Sequence, residues 1–200
     1  SPCVHLFIIT AMSMIRLNKL SPRNLKKIVS IFLGLEGLKH NVSHKIIPDA
    51  AILDPLLTVS CGPRLTAYSA IDAMVHAIES FTSTNLNNNP YSKMLALEAC
   101  RWLGKSTKTA ILEPENIEAR ANVQYGAMLA GQAFGNSPVA AVHALAYPLG
   151  GHFKLPHGLT NTLVLPGVLA YNQKVVDYSS LALALFSNKS RRAFKQLVYS

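Results

Sequence analysis

Asp72 and His76 stand four residues apart in IDAMVHAIE, and His143 and His157 bracket the stretch VHALAYPLGGHFKLPHG. Residues at i and i+4 share one face of a helix, so Asp72 and His76 point the same way if that segment is helical. The fourteen-residue step from His143 to His157 contains Pro148, Gly150, Gly151 and Pro156, a bend that can return the second histidine to the first. Three imidazoles and one carboxylate make a complete donor set for a divalent transition metal. Imidazole suits iron, zinc, copper and nickel, and the carboxylate adds a harder oxygen. Two plainer readings stand beside this one. Histidine on an apolar helix face can be a core residue bonded to a carbonyl, and an i,i+4 Asp/His pair can be a surface ion pair.

The elements that would carry these residues are helical. Ile71, Met74, Val75 and Ile78 give the i, i+3, i+4, i+7 stripe of a helix from about Thr66 to Phe81. Pro90 fits a first helical turn, with a helix from Tyr91 to Leu103 that resumes from Thr109 to Leu112. Glu115 and Glu118 after Pro114 mark the acid-rich start of an alanine-rich helix reaching Phe134. His143 falls on a helix from Val139 to Tyr147, GGHFKLPHG reads as a loop, and Leu159 to Leu165 follow, with Pro166 as a break. Val175 to Phe186 is a last apolar helix. Residues 46–59 read as a short extended stretch ending in a loop. Gly126 and Gly131 fit close helix packing, and Glu79 reads as a solvated acid, with a role behind a ligand imidazole as the alternative. The fold class is all-α, a helical bundle.

Half of the 200 residues are hydrophobic and 14% are charged, which places the chain among globular proteins. The net charge of +9 is unevenly spread. Residues 46–178 hold eight Lys/Arg against nine Asp/Glu, residues 1–45 hold seven against Glu36 alone, and residues 179–200 hold four and no acid. The domain reading follows: a basic flank 1–45, a helical domain 46–178 and a basic flank 179–200. Neither flank interleaves aromatics with its charges or carries a known binding module, so no nucleic-acid partner is expected. The apolar run Cys3–Ile15 is too short to cross a bilayer, and no membrane partner is expected. Cys3, Cys61 and Cys100 form no framework and read as reduced thiols of a cytoplasmic or mitochondrial protein.

PDAAILDPLLTV, IDAMVHAIESF, NPYSKMLALEA and VAAVHALAYPLGGHFKLPHGLTN resemble, in order, the iron-containing (group III) alcohol dehydrogenases, from about Ile46 to about Tyr178. The resemblance implies the helical carboxy-terminal domain of a dehydroquinate synthase-like fold. It implies Fe²⁺, or Zn²⁺, on Asp72, His76, His143 and His157, hydride exchange between a small alcohol or aldehyde and NAD(P), and a homo-oligomer. Tyr147 stands where many members carry a histidine near the nicotinamide, so Tyr147 and His152 are the candidates for proton relay. Ala70 replaces a common glycine. The GGGS-type phosphate loop and the TTxGTGSE-like segment of the nucleotide domain are absent from these 200 residues. Two expectations follow: a metal-dependent alcohol dehydrogenase represented by its metal-binding half, or a truncated metal-binding domain without turnover of its own.

Overall fold

Prolines and asparagines set where the helices begin. The computed structural model describes residues 53–186. A 3-10 turn, Pro55–Thr58, leads into α1 (Pro63–Thr82), α2 (Pro90–Leu112), α3 (Ile117–Asn136), α4 (Ala141–Phe153), α5 (His157–Asn172) and α6 (Ser179–Phe186). Pro63 and Pro90 open their helices, where the missing N–H costs nothing. Asn89 and Asn116 cap α2 and α3 by accepting from the Ser92 and Ala119 amides, both at 3.0 Å. The described residues contain no strand and are all-α, as the patterning predicts.

The three long helices α1, α2 and α3 pack on one another around small side chains. Ala70 and Ala77 of α1, Ala96 and Ala99 of α2, and Ala130 and Ala133 of α3 are fully buried, with Leu103 and Val123 filling between them. Alanine lets the helix backbones approach closely while costing no side-chain entropy. Gly126 takes this further: a Cβ there would stand 2.9 Å from the Leu103 side chain and 3.2 Å from the Ala99 carbonyl. Arg120 is buried at the base of the bundle. Its guanidinium donates to the carbonyls of Thr58 (2.6 Å), Cys61 (3.1 Å) and Pro114, fastening the turn before α1 to α3. Cys61 and Cys100 are buried, and burial pushes the Cys100 thiol up to about 12, which leaves it inert at neutral pH.

Three segments differ from the local reading, each for a tertiary reason. α2 runs unbroken through Gly104, because that glycine is where α6 docks. A Cβ on Gly104 would overlap the Leu185 carbonyl. The stretch from Pro148 to Phe153 continues α4 instead of forming a loop, and ends only at Lys154, whose φ of 55° gives the left-handed cap. An interior proline costs a helix roughly 3 kcal/mol. Here α4 lies along α5 and buries Val142, His143 and Ala146, which offsets that cost. Pro166 likewise sits inside α5, flanked by the buried Leu165 and Leu169. The expected flank 1–45 lies outside the described residues, as do residues 187–200 of the second flank. Residues 179–186 form α6, with Leu181 and Ala184 in the core.

Candidate metal centre

Asp72, His76 and Glu79 follow one another along α1 at i, i+4 and i+7, so all three face the same neighbours. Those neighbours are the amino-terminal ends of α4 and α5. α4 lacks a capping side chain of its own: its N-cap is Ala140. Glu79 supplies the cap from α1. Its carboxylate accepts from the Ala140 amide at 3.0 Å and the Val142 amide at 2.6 Å. The approach is held by a reciprocal pair, Ser80 Oγ donating to the Ser137 carbonyl (3.1 Å) and Ser137 Oγ to the Ser80 carbonyl (3.0 Å). One turn into α4, His143 Nδ1–H donates to Glu79 Oε2 at 2.7 Å. That bond fixes the ring and turns Nε2 toward Asp72 Oδ1, 3.5 Å away.

His76 is packed as a plate between Phe134 of α3 (ring centroids 4.6 Å) and His143 (4.5 Å), near parallel to both. His157, the first residue of α5, brings Nε2 to 3.4 Å from Asp72 Oδ1. α5 reaches this depth because residue 158 is glycine: a Cβ there would overlap the Tyr68 carbonyl of α1. Tyr147, one turn after His143, stacks on His157 with centroids 5.5 Å apart and planes 7° from parallel. Asn161, one turn after His157, donates from Nδ2 to Asp72 Oδ1 at 2.6 Å.

Burial alone would raise the Asp72 carboxyl, but His76, His143 and His157 together hold it well below the usual carboxylate range. Glu79 follows the same logic: burial raises it, and His143 with the Ala140 and Val142 amides outweighs burial, leaving it depressed. The two histidines part company. Burial drives His76 down to about 4, against the pull of Asp72, so its ring is neutral at physiological pH. Burial also opposes charge on His143, yet its contacts with Asp72 and Glu79 carry it up to about 9. Burial, then Asp72 and Glu79, keep the Tyr147 hydroxyl protonated.

Donor atoms of Asp72, His76 and His143 all lie within 4.8 Å of one another. Around a tetrahedral zinc with bonds of ~2.1 Å, neighbouring donors stand ~3.4 Å apart. The Asp72–His143 and Asp72–His157 separations are 3.5 Å and 3.4 Å, the spacing such an ion requires. Asp72 and His143 are buried while 33% of the His157 side chain is exposed, so the cluster meets solvent from the His157 side. Asp72, His76 and His143 thus come together, His157 joins them through Asp72 without falling within 4.8 Å of every donor, and Tyr147 lies beside His157. His152 does not: it is exposed near the end of α4, and among the described residues no contact joins it to the cluster. Glu79 is not the solvated acid of the local reading but the buried partner of His143. Asn161 carried no earlier assignment, although its i+4 step from His157 in HGLTN repeats the Asp72–His76 spacing.

A model of the Fe-containing alcohol dehydrogenase family, C-terminal part, matches residues 66–198. Long-chain-alcohol dehydrogenase 1 of Geobacillus thermodenitrificans is 46% identical over 140 residues, covering 70% of this chain and 35% of that protein. The 1,3-propanediol dehydrogenase of Klebsiella pneumoniae is 38% identical over 145 residues, 70% of this chain and 37% of its own length. Among solved structures, a 1,3-propanediol oxidoreductase superposes with a TM-score of 0.71 at 31% identity, covering 77% of this chain and 41% of that one. Sulfoacetaldehyde reductase from Bifidobacterium kashiwanohense, solved with NAD⁺, gives 0.70 at 29% identity over 78% of this chain and 42% of its own. The chain therefore spans between a third and a little under half of the length of the curated relatives it matches.

Proposed function

Because this chain belongs to the iron-containing alcohol dehydrogenase family, we propose that it is the metal-binding helical part of an NAD(P)-linked alcohol dehydrogenase. It binds one divalent cation, Fe²⁺ or Zn²⁺, through Asp72, His76, His143 and His157. The observation that carries this reading is the spacing of the donors: Asp72 Oδ1 lies 3.5 Å and 3.4 Å from two imidazole nitrogens, with His76 in the same cluster. The unit that carries it runs from residue 46 through 178, with α6 packed against it.

The substrate class is an alcohol or its aldehyde, in keeping with relatives named for a long-chain alcohol, 1,3-propanediol and sulfoacetaldehyde. Bound at the site, a divalent cation supplies Lewis-acid polarisation of the alcohol or aldehyde oxygen, and a nicotinamide exchanges the hydride. The chain's own residues do the positioning. Asp72 contributes the single anionic donor and is held ionised by its histidines. Glu79 keeps the His143 ring turned so that Nε2 faces the cluster. Tyr147, stacked on His157 and kept protonated by burial, serves as the donor of an O–H to a substrate oxygen. His152, further along α4, is the second candidate for relaying a proton.

A second reading takes these residues as a metal-binding domain without turnover of its own. Metal analysis of the purified chain, combined with a titration of NAD⁺ and NADP⁺, separates the two. One Zn²⁺ or Fe²⁺ per chain, lost in His143→Ala and His157→Ala, is the result expected of the metal centre. Equal metal content in all three proteins would overturn it. Cofactor binding with oxidation of a short primary alcohol, weakened by Tyr147→Phe rather than His152→Ala, supports the catalytic reading. Metal without cofactor binding supports the domain alone.

A further inference from the structure

We propose that Asn161 is a positioning residue for the cation site: its carboxamide N–H fixes Asp72 as the oxygen donor. The proposal rests on the metal-centre reading above and adds a residue that spacing did not single out. Asn161 is fully buried on α5. Its Nδ2 stands 2.6 Å from Asp72 Oδ1, 3.4 Å from His143 Nε2 and 3.3 Å from His157 Nε2. One amide group thus meets donor atoms contributed by α1, α4 and α5.

The direction of the amide follows from its partners. Turned over, it would place Oδ1 at 2.6 Å from an ionised carboxylate oxygen, acceptor against acceptor. With Nδ2 inward, one N–H occupies one lone-pair direction of Asp72 Oδ1 and sets the carboxylate rotamer, and another lone pair of that oxygen stays available to a cation. A neutral donor is what this place requires. Lysine or arginine there would cancel the charge of Asp72 and take the cation's part, and a carboxylate would repel Asp72.

The cost of the residue supports the assignment. The other end of the amide, Oδ1, is buried with no hydrogen-bond partner among the described residues. An orphaned buried acceptor destabilises a fold, and leucine of nearly the same size would not carry it. Asn161 is a poor choice for the core and a good one for holding Asp72. Its neighbour Thr160, also buried, satisfies its own hydroxyl locally by donating to the His157 carbonyl at 2.8 Å, so the orphan is particular to Asn161.

The test uses Zn²⁺ alone as the probe, with dissociation constants from competition against a chromophoric chelator on the wild-type chain, Asn161→Leu and Asn161→Ala. Asn161→Leu fills the space and excludes any donor, and should weaken Zn²⁺ binding roughly 10–100-fold, the range for losing a group that supports a metal ligand. Asn161→Ala leaves room for a water that can donate to Asp72, and should lose less. Thermal stability of the metal-free chain should run the other way, because alanine leaves a cavity and leucine removes the orphaned oxygen. A residue with only a packing role would make affinity follow stability. Leu165→Ala, which removes packing from the same helix, serves as the control and should lower stability without changing the dissociation constant. Zn²⁺ affinity of Asn161→Leu within twofold of wild type, or an affinity order that tracks thermal stability, overturns the proposal. Failure of the wild-type chain to bind Zn²⁺ at all would instead sink the metal-centre reading on which it rests.

Discussion

Replacing Glu79 by glutamine keeps the size of the side chain and removes its charge, and should expose how the site is built. The carboxylate, only 3% exposed, accepts three hydrogen bonds: Val142 N on Oε1, and Ala140 N and His143 Nδ1 on Oε2. Glutamine has one oxygen. With that oxygen toward Ala140 and His143, its NH₂ faces the Val142 amide, donor against donor. The alternative orientation orphans two donors instead of one. A buried donor without a partner costs ~1–3 kcal/mol, and the two bonds that survive fall from charge-assisted to neutral strength. The sum for Glu79→Gln is about 2–4 kcal/mol, against a total stability of ~5–15 kcal/mol for a domain. Urea unfolding of the metal-free chain, followed by circular dichroism, measures it. The sign with pH is fixed by the two partners. Glu79 is depressed, so its contribution is present above its ordinary value and lost as pH falls through the lower folded one. His143 is raised to about 9, so its contribution is full below its ordinary value of ~6.5 and lost as pH rises through about 9. The gap between wild type and Glu79→Gln should therefore be widest between roughly pH 5 and 6.5 and narrow on both sides. Zn²⁺ affinity should fall toward the roughly 10–100-fold range of a lost supporting group, because the bond that orients the His143 ring drops from charge-assisted to neutral strength. A variant within ~0.5 kcal/mol of wild type across that range, the scatter of neutral surface changes, with unchanged Zn²⁺ affinity, would show that the Glu79 charge does not hold the site together.

At neutral pH His143, with its value up to about 9, carries a proton on Nε2 as well as on Nδ1, while His76 at about 4 carries no excess proton. Cation binding should therefore release a proton from His143, and affinity should climb with pH until about 9; calorimetry in buffers of different ionisation heat reads the proton directly, and no release near neutrality would contradict the assignment. Gly158→Ala puts a methyl group into the Tyr68 carbonyl and must push the start of α5 outward, carrying His157 and Asn161 from Asp72. It should cost ~1–3 kcal/mol in unfolding experiments and weaken Zn²⁺ binding, whereas full affinity would show that the depth of α5 does not set the site.

What could be read from residues alone divides along physical lines. Asp72 and His76 were legible because their relation is local: four residues on one helix always share a face. The all-α class was legible for the same reason, since apolar spacing and proline starts are properties of short windows. Glu79 shares the Asp72–His76 face by the same arithmetic, yet its partner, His143, is 64 residues away and reaches it only because Ser80 and Ser137 pin the chain between α3 and α4 to α1. Nothing within a window around Glu79 carries that information. The opposite failure occurred where local rules spoke loudly. Pro148, Gly150 and Gly151 read as a loop, and packing against α5 made them helix.

The glycines complete the argument. Gly104 and Gly158 look like weak points in their helices, and each marks the place where another helix backbone comes too close for a Cβ, α6 in one case and α1 in the other. Gly158 follows His157 directly, so the residue that lets α5 approach α1 is adjacent to the residue that approach delivers to Asp72. Reach and chemistry are thus encoded side by side: glycine sets the distance between backbones, and that distance places His157 Nε2 at 3.4 Å from Asp72 Oδ1. A larger residue at 158 would leave the sequence pattern of the four candidate ligands intact and remove the geometry that makes them a site.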